Sequence, residues 1–144
     1  MTQIMNSLEF RSYHQGKILI NELDECLEIM FVEKGTYEIG YQINNKNRFI
    51  KKMGMFSNIG GYQLINSKRF EFIYRTKTVL LGQAIRKEHF LIILSDWPEF
   101  SNQIFKKLWQ NYSQHVYQPL IKRKNIHIRD FNFRDDYNQG LFLK

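Results

Sequence analysis

Between Tyr13 and Phe90, short apolar runs alternate with polar residues and are cut by glycines or Asn/Asp clusters; after Phe90 the apolar spacing lengthens to that of a helix. That order reads as short strands followed by carboxy-terminal helices. Gly16-Lys17-Ile18-Leu19-Ile20 reads as a glycine turn into a strand, with Asn21 to Glu25 as its polar exit. Leu27 to Glu33 is a compact apolar strand. After Lys34-Gly35, Tyr37, Ile39 and Tyr41 alternate with Glu38, Gly40 and Gln42, which predicts a hairpin with a half-buried second strand. Asn44-Asn45-Lys46-Asn47 is a loop whose asparagines accept left-handed backbone, and Arg48-Phe49-Ile50 resumes the strand.

Paired Gly60-Gly61 then interrupts the pattern, and alternation returns at Phe70, Phe72 and Tyr74 and again from Val79 to Ile85. Arg86-Lys87-Glu88 is expected to turn, with helical period from His89. Asp96-Trp97-Pro98-Glu99 predicts a helix start, with Asp96 as cap, proline in the first turn and a glutamate three residues on. Phe100, Ile104, Leu108 and Tyr112, flanked by Phe105, Trp109 and Val116, form a broad apolar stripe that reads as core. Pro119 is expected to end or kink that helix.

Seven or eight strands followed by helices give the expected fold class: mainly β, a double-stranded β-helix or jelly-roll barrel with carboxy-terminal helices as a lid. The barrel is expected over about 8–90 and its helices over about 96–124, forming one domain over 8–124, with 125–144 a loosely held polar tail. A chain of 144 residues, 43% hydrophobic and 15% aromatic, suffices for one buried core.

The longest apolar run, Phe90 to Leu94, is far short of the roughly 20 residues that span a bilayer, and the amino terminus has no apolar signal segment, so the isolated chain is expected to be soluble and cytoplasmic. A single cysteine, Cys26, excludes an internal disulfide, and the four histidines are too dispersed for a local metal motif, so no metal is expected. The net charge of +7 invites a polyanion, but the basic residues fall in pairs and one triplet, Lys122-Arg123-Lys124, over several elements; nucleic acid is the less favoured partner. Catalysis finds no motif. Cys26 stands among Asp24, Glu25 and Glu28, where negative charge disfavours a thiolate, and the chain is expected not to be an enzyme.

Gly16 to Ile20, Leu27 to Tyr41, Ile59-Gly60-Gly61-Tyr62 and Ala84 to Phe90 together resemble the cyclic nucleotide-binding domain, over roughly Leu8 to Lys124. More narrowly, Tyr37 to Tyr41, the Ile-Gly-x-Tyr run and Lys68 to Arg75 are similar to the divergent forms at the carboxy end of ciliate voltage-gated potassium and cation channels. The resemblance implies a phosphate-binding cassette in which backbone amides and an arginine hold the cyclic phosphate and a glutamate accepts the ribose hydroxyl. Laid on this chain without gaps, Gly61 takes the place of the glutamate and Phe70 that of the arginine, with Arg69 one residue before and Glu71 one after. The candidate cassette is therefore Ile59, Gly60, Gly61, Tyr62, Arg69, Phe70 and Glu71. On a regular strand Arg69 points away from the pocket unless a bulge re-aims it.

The resemblance thus implies a regulatory module of an ion channel, with cAMP or cGMP as ligand and the pore domain and sister subunits of a tetramer as partners, on the cytoplasmic side of a membrane. The altered anchors leave two alternatives open: a ligand-free barrel acting through protein contacts, and a basic module docking on anionic lipid or nucleic acid. Restoring both anchors by Phe70→Arg with Gly61→Glu is expected to gain nucleotide affinity.

Overall fold

On β4, Tyr37, Ile39 and Tyr41 are buried to 1% exposure or less, while Glu38 and Gln42 lie on the wetter side, and this alternation sets the inner face of the molecule. The computed structural model describes residues 2–129. Its strands are β1 (Glu9–Tyr13), β2 (Ile18–Ile20), β3 (Glu28–Lys34), β4 (Tyr37–Ile43), β5 (Lys46–Met53), β6 (Asn58–Ile59), β7 (Ile73–Thr76) and β8 (Leu80–Arg86). They form two antiparallel four-stranded sheets, ordered β1-β8-β3-β6 and β2-β7-β4-β5. The expected jelly-roll architecture is what the chain adopts.

Side chains from both sheets interdigitate between them: Ile29, Met30 and Val32 from β3, Leu80, Ala84 and Ile85 from β8, and Tyr37, Ile39, Tyr41 and Tyr74 from the opposite sheet. Fully burying each large apolar side chain contributes about 1.5–3 kcal/mol. The β4–β5 hairpin turns on two residues alone, Asn44 and Asn45, both at positive φ, so Lys46 and Asn47 already belong to the strand. At the bulge beside Gly40 a Cβ would lie 1.9 Å from the Arg48 carbonyl oxygen, which is why glycine interrupts this apolar strand.

Strand β1 breaks the apolar rule. Phe10 is exposed, whereas Glu9, Arg11 and Tyr13 face inward, held by Arg11 bridging Glu9 at 2.8 Å and Glu28 at 2.9 Å and by Arg86 on Glu9 at 3.0 Å.

Helices α1 (Thr2–Ser7) and α2 (Gly61–Ile65) are short; α3 (Lys87–Asp96) follows β8 with no intervening turn, because Arg86 already serves as its cap. Helix α4 (Pro98–Tyr112) is capped by Trp97, with Asp96 closing α3 instead, and Pro98 sits in its first turn as expected. Of the apolar stripe, Leu108, Tyr112 and Val116 are buried and Ile104 is partly so, while Phe100, Phe105 and Trp109 remain exposed. The chain does not break at Pro119. A π turn over Ser113–Tyr117 follows α4, the Gln118 amide reaches Ser113 O, and helix α5 continues over 118–129. The wider turn immediately before Pro119 accommodates a residue that cannot donate a backbone hydrogen bond.

Residues 125–129 of the expected loose tail are the end of this helix, and 130–144 lie outside the described residues. Tyr41 hydroxyl bonds His127 Nδ1, and Lys124 Nζ lies 5.9 Å over the Tyr41 ring, fastening α5 to the barrel. No helix among the described residues is long and apolar enough to cross a membrane.

Candidate functional site

Helix α2, the inner face of β4 and the α4 to π-turn junction enclose a cleft of about 260 Å³. Its floor is Tyr37, Ile39 and Tyr74; its near wall is Gly60, Gly61, Tyr62 and Gln63; its roof is Leu108, Asn111, Tyr112, His115 and Val116. Among the described residues that line it there is no Asp, Glu, Lys or Arg.

Gly60 shapes the near wall. It holds φ +93, and a Cβ there would lie 2.7 Å from the Glu28 carbonyl oxygen, so only glycine lets the chain turn into α2 this tightly. Gly61 opens α2, and its amide donates to Asn58 Oδ1 at 3.2 Å. A Cβ on Gly61 would sit 2.5 Å from that oxygen and 2.8 Å from Leu108 Cδ2 of α4, so the roof closes on this position.

One aromatic contact joins wall to roof and another lies within the floor. Tyr62 stacks on Tyr112 with centroids 4.3 Å apart and planes 6° from parallel, and Tyr37 lies near-parallel to Tyr74 at 6.1 Å. Lys68 Nζ covers the Tyr62 ring at 5.7 Å and donates to its hydroxyl. Tyr37 hydroxyl and Ser57 Oγ are 2.8 Å apart; burial pushes the Tyr37 hydroxyl up to about 12, with Ser57 pulling the other way. Burial, then the charge of Glu71 and the Tyr62 ring, push the Tyr112 hydroxyl up, and the adjacent Gln63 side chain offsets part of that rise. Gln63 Nε2 and the Tyr112 hydroxyl are both buried, and the contact between them falls short of a well-formed hydrogen bond. A buried polar group left unsatisfied costs about 1–3 kcal/mol. At the mouth, Phe56 is 95% exposed and holds φ +65, a conformation a phenylalanine rarely adopts.

The cassette residues do not all meet here. Gly60, Gly61 and Tyr62 line the cleft. Ile59 and Phe70 line instead a second, mostly apolar cavity of about 280 Å³ with Tyr13, Leu19 and Met30. Phe70 is buried, packs edge-on against Tyr74 at 5.5 Å, and its Cζ would lie 3.4 Å from a Cβ on Gly60, so its ring stands beside the entry to α2. Arg69 is exposed and donates to the Leu23 carbonyl oxygen at 3.1 Å, away from the cleft. Glu71 is exposed in a shallow groove with Lys68, Trp109 and Ser113. Sequence reasoning missed Asn58, Gln63 and His115; a polar residue between Tyr62 and Leu64 carries no signal until α2 is known to aim it inward. Tyr112 was legible only as core.

Cys26 Sγ donates to the carbonyl oxygens of Gly60 at 3.3 Å and Glu28 at 3.4 Å. Burial is the main force that pushes its thiol up to about 11, and the acidic neighbours expected to do so contribute only through Glu28, as the smallest effect. Among the described residues no cluster of three or more His, Cys, Asp or Glu could hold a metal.

A two-sheet barrel with a short helix between β6 and β7 and closing helices after β8 is the fold of cyclic nucleotide-binding domains, and solved structures agree. The regulatory subunit of a cAMP-independent protein kinase A from Trypanosoma brucei superposes with a TM-score of 0.65 at 14% identity, over 78% of this chain and 38% of that one. The C-linker/CNBHD of the zELK channel gives 0.65 at 18% identity, over 75% and 54%. A protein from Ruegeria pomeroyi assigned as cyclic nucleotide binding gives 0.64 at 14%, over 81% and 52%. The chain thus spans about half or less of the length of these neighbours. No protein-family model and no curated protein sequence matches it.

Proposed function

We propose that this chain is the regulatory module of an ion-channel subunit, built on the cyclic nucleotide-binding fold, whose cleft does not hold cAMP or cGMP and whose output is the seating of α4 and α5 on the barrel. The observation that carries this reading is the lining of the cleft: no Lys or Arg is among the described residues that form it, and the Phe70 ring stands beside the entry to α2. A cyclic phosphate is an anion, and a lining without Lys or Arg leaves it unpaired. Two missing charge-assisted contacts of about 1.5–3 kcal/mol each weaken binding by roughly two to four orders of magnitude. The Gly61 amide, a donor the phosphate would need, is already bonded to Asn58.

What holds the roof down is internal: the Tyr62–Tyr112 stack and the Tyr41–His127 bond. The channel setting is supported by the similarity of Tyr37 to Tyr41 and Lys68 to Arg75 to ciliate channel domains and by the fold shared with the zELK channel domain. In that setting the partners are the pore domain and sister subunits of a homotetramer, on the cytoplasmic side of the membrane, and no catalytic activity is involved.

Equilibrium dialysis of the whole chain against radiolabelled cAMP and cGMP tests the reading. No retention is expected; saturable retention at micromolar ligand overturns it. Recovery of the protein from its native cell in complex with a pore-forming subunit is expected as well, and recovery free of any membrane protein contradicts the channel setting.

A further inference from the structure

We infer that the face built by β5 and α5 around Tyr41 is a docking surface for an anionic lipid bilayer. Two basic clusters far apart in sequence meet there. Tyr41 pairs across the hairpin with Arg48, and Lys124 Nζ of α5 lies 5.9 Å over its ring. The charges of Arg123 and Arg48 both reach the Tyr41 hydroxyl, where they oppose the rise that burial causes.

The β-bulge sets how many cations share this face. Strand β5 carries one extra residue, Ile50, between Lys51, which stands opposite Ile39, and Phe49, which stands opposite Gly40. On a regular strand Arg48 and Lys51, three residues apart, would point to opposite sides. With the bulge they stand opposite Tyr41 and Ile39 and share one side of the sheet, as does Lys46 opposite Ile43. The carboxylate of this hairpin, Glu38, lies on the other side, where it pairs with Arg75 at 3.5 Å. Helix α5 adds Lys122, Arg123 and Lys124 and has no acidic residue over 118–129. Among the described residues none of these six cations pairs with a carboxylate. About four to eight Lys and Arg gathered in this way are what an anionic leaflet attracts.

The neighbouring apolar residues favour a bilayer over a nucleic acid. Ile126 is exposed and follows Lys122 and Arg123 by one helical turn, so an aliphatic side chain lies beside the cations, where it can enter the headgroup boundary. Stacking on bases needs open aromatic faces, whereas Tyr41 is fully buried and the Arg75 guanidinium covers the Phe49 ring at 3.9 Å. None of the six cations lines the cleft, so this surface is separate from it.

Co-sedimentation of the whole chain with vesicles of phosphatidylcholine and phosphatidylserine, and with vesicles of phosphatidylcholine alone, tests this. Saturable binding that weakens as salt rises is expected for the mixed vesicles and none for the neutral ones. Arg48→Gln with Lys51→Gln, and separately Lys122→Gln with Arg123→Gln, each checked for a cooperative unfolding transition, are expected to weaken binding by about 30-fold. Lys106→Gln with Lys107→Gln removes the same charge from α4 and is expected to change binding by about twofold at most. Absence of binding to the mixed vesicles overturns the docking surface and leaves the regulatory reading of the cleft standing. Equal weakening by the Lys106 and Lys107 pair overturns it as well, since net charge alone would then be at work. A nucleic acid, single-stranded or duplex, held more tightly than the mixed vesicles at the same salt assigns the face to another polyanion and also overturns it.

Discussion

Tyr62 of the cassette helix and Tyr112 of the long helix α4 lie face to face, 4.3 Å between centroids and 6° from parallel, so a stacked ring pair joins the wall and the roof of the cleft. Truncating Tyr112 removes that stack and a largely buried ring. Tyr112→Ala is expected to cost about 3 kcal/mol and to loosen α4, read as a lower denaturant midpoint and faster amide exchange over 98–112. Tyr112→Phe keeps the ring and removes a buried hydroxyl without a well-formed hydrogen bond, so its stability is expected to match or exceed that of the parent by up to about 1 kcal/mol.

The two cassette glycines are expected to respond differently to alanine. At Gly60 the φ of +93 and the Glu28 carbonyl at 2.7 Å are both backbone constraints, and Gly60→Ala is expected to cost at least about 2 kcal/mol. At Gly61 the obstacles are side-chain ends, Asn58 Oδ1 and Leu108 Cδ2, and Gly61→Ala is expected to cost about 1–3 kcal/mol while pushing α4 outward. Urea unfolding of both variants separates the two cases.

The same geometry revises what restoring the anchors would do. With the Phe70 ring buried against Tyr74 and no space for a side chain at 61, Phe70→Arg with Gly61→Glu is expected to lose several kcal/mol of stability and to gain no cyclic nucleotide affinity, measured by dialysis on the folded fraction.

How far the sequence carried the fold follows from where its physics was local. The alternation of Tyr37, Ile39 and Tyr41 and the Asn44-Asn45 turn are local signals, and both were readable. Strand β1 was not, because its inward face is Glu9 and Arg11, stabilised by Glu28 and Arg86 from strands distant in sequence. Phe100, Phe105 and Trp109 share a helical period with true core residues, and only the placement of α4 decides that they stay exposed. At the cleft, glycine spacing located the wall, whereas Gln63 and His115 were invisible until α2 and the π turn aimed them inward.

Stability is expected to fall on the alkaline side. Burial pushes Cys26 up to about 11, Tyr37 up to about 12 and Tyr74 and Tyr112 upward, so the folded state favours their protonated forms. The unfolded chain ionises these groups first, and each therefore stabilises the fold fully below its unfolded value and loses that effect as pH rises through its folded one. Denaturant midpoints are expected to be flat with respect to these groups below about pH 9 and to drop steadily toward about pH 12. A midpoint unchanged over that span contradicts the burial of these groups. Cys26 is also expected to resist a thiol reagent at neutral pH until the chain unfolds.

His127 bonds Tyr41 across 86 residues of sequence and, with Lys124 over the Tyr41 ring, fastens α5 to β4. His127→Ala is expected to cost about 0.5–1.5 kcal/mol, felt locally. Hydrogen exchange should quicken over 118–129 and remain unchanged in β3 and β8.

The central claim is that a cyclic nucleotide fold here works without a cyclic nucleotide, and a thermal-unfolding titration of the whole chain with cAMP and cGMP up to millimolar concentration tests it most directly. The account predicts no shift in the transition of a cooperatively folding protein. A saturable rise, approaching roughly 2.7 kcal/mol at about 100 times the dissociation constant, would contradict it.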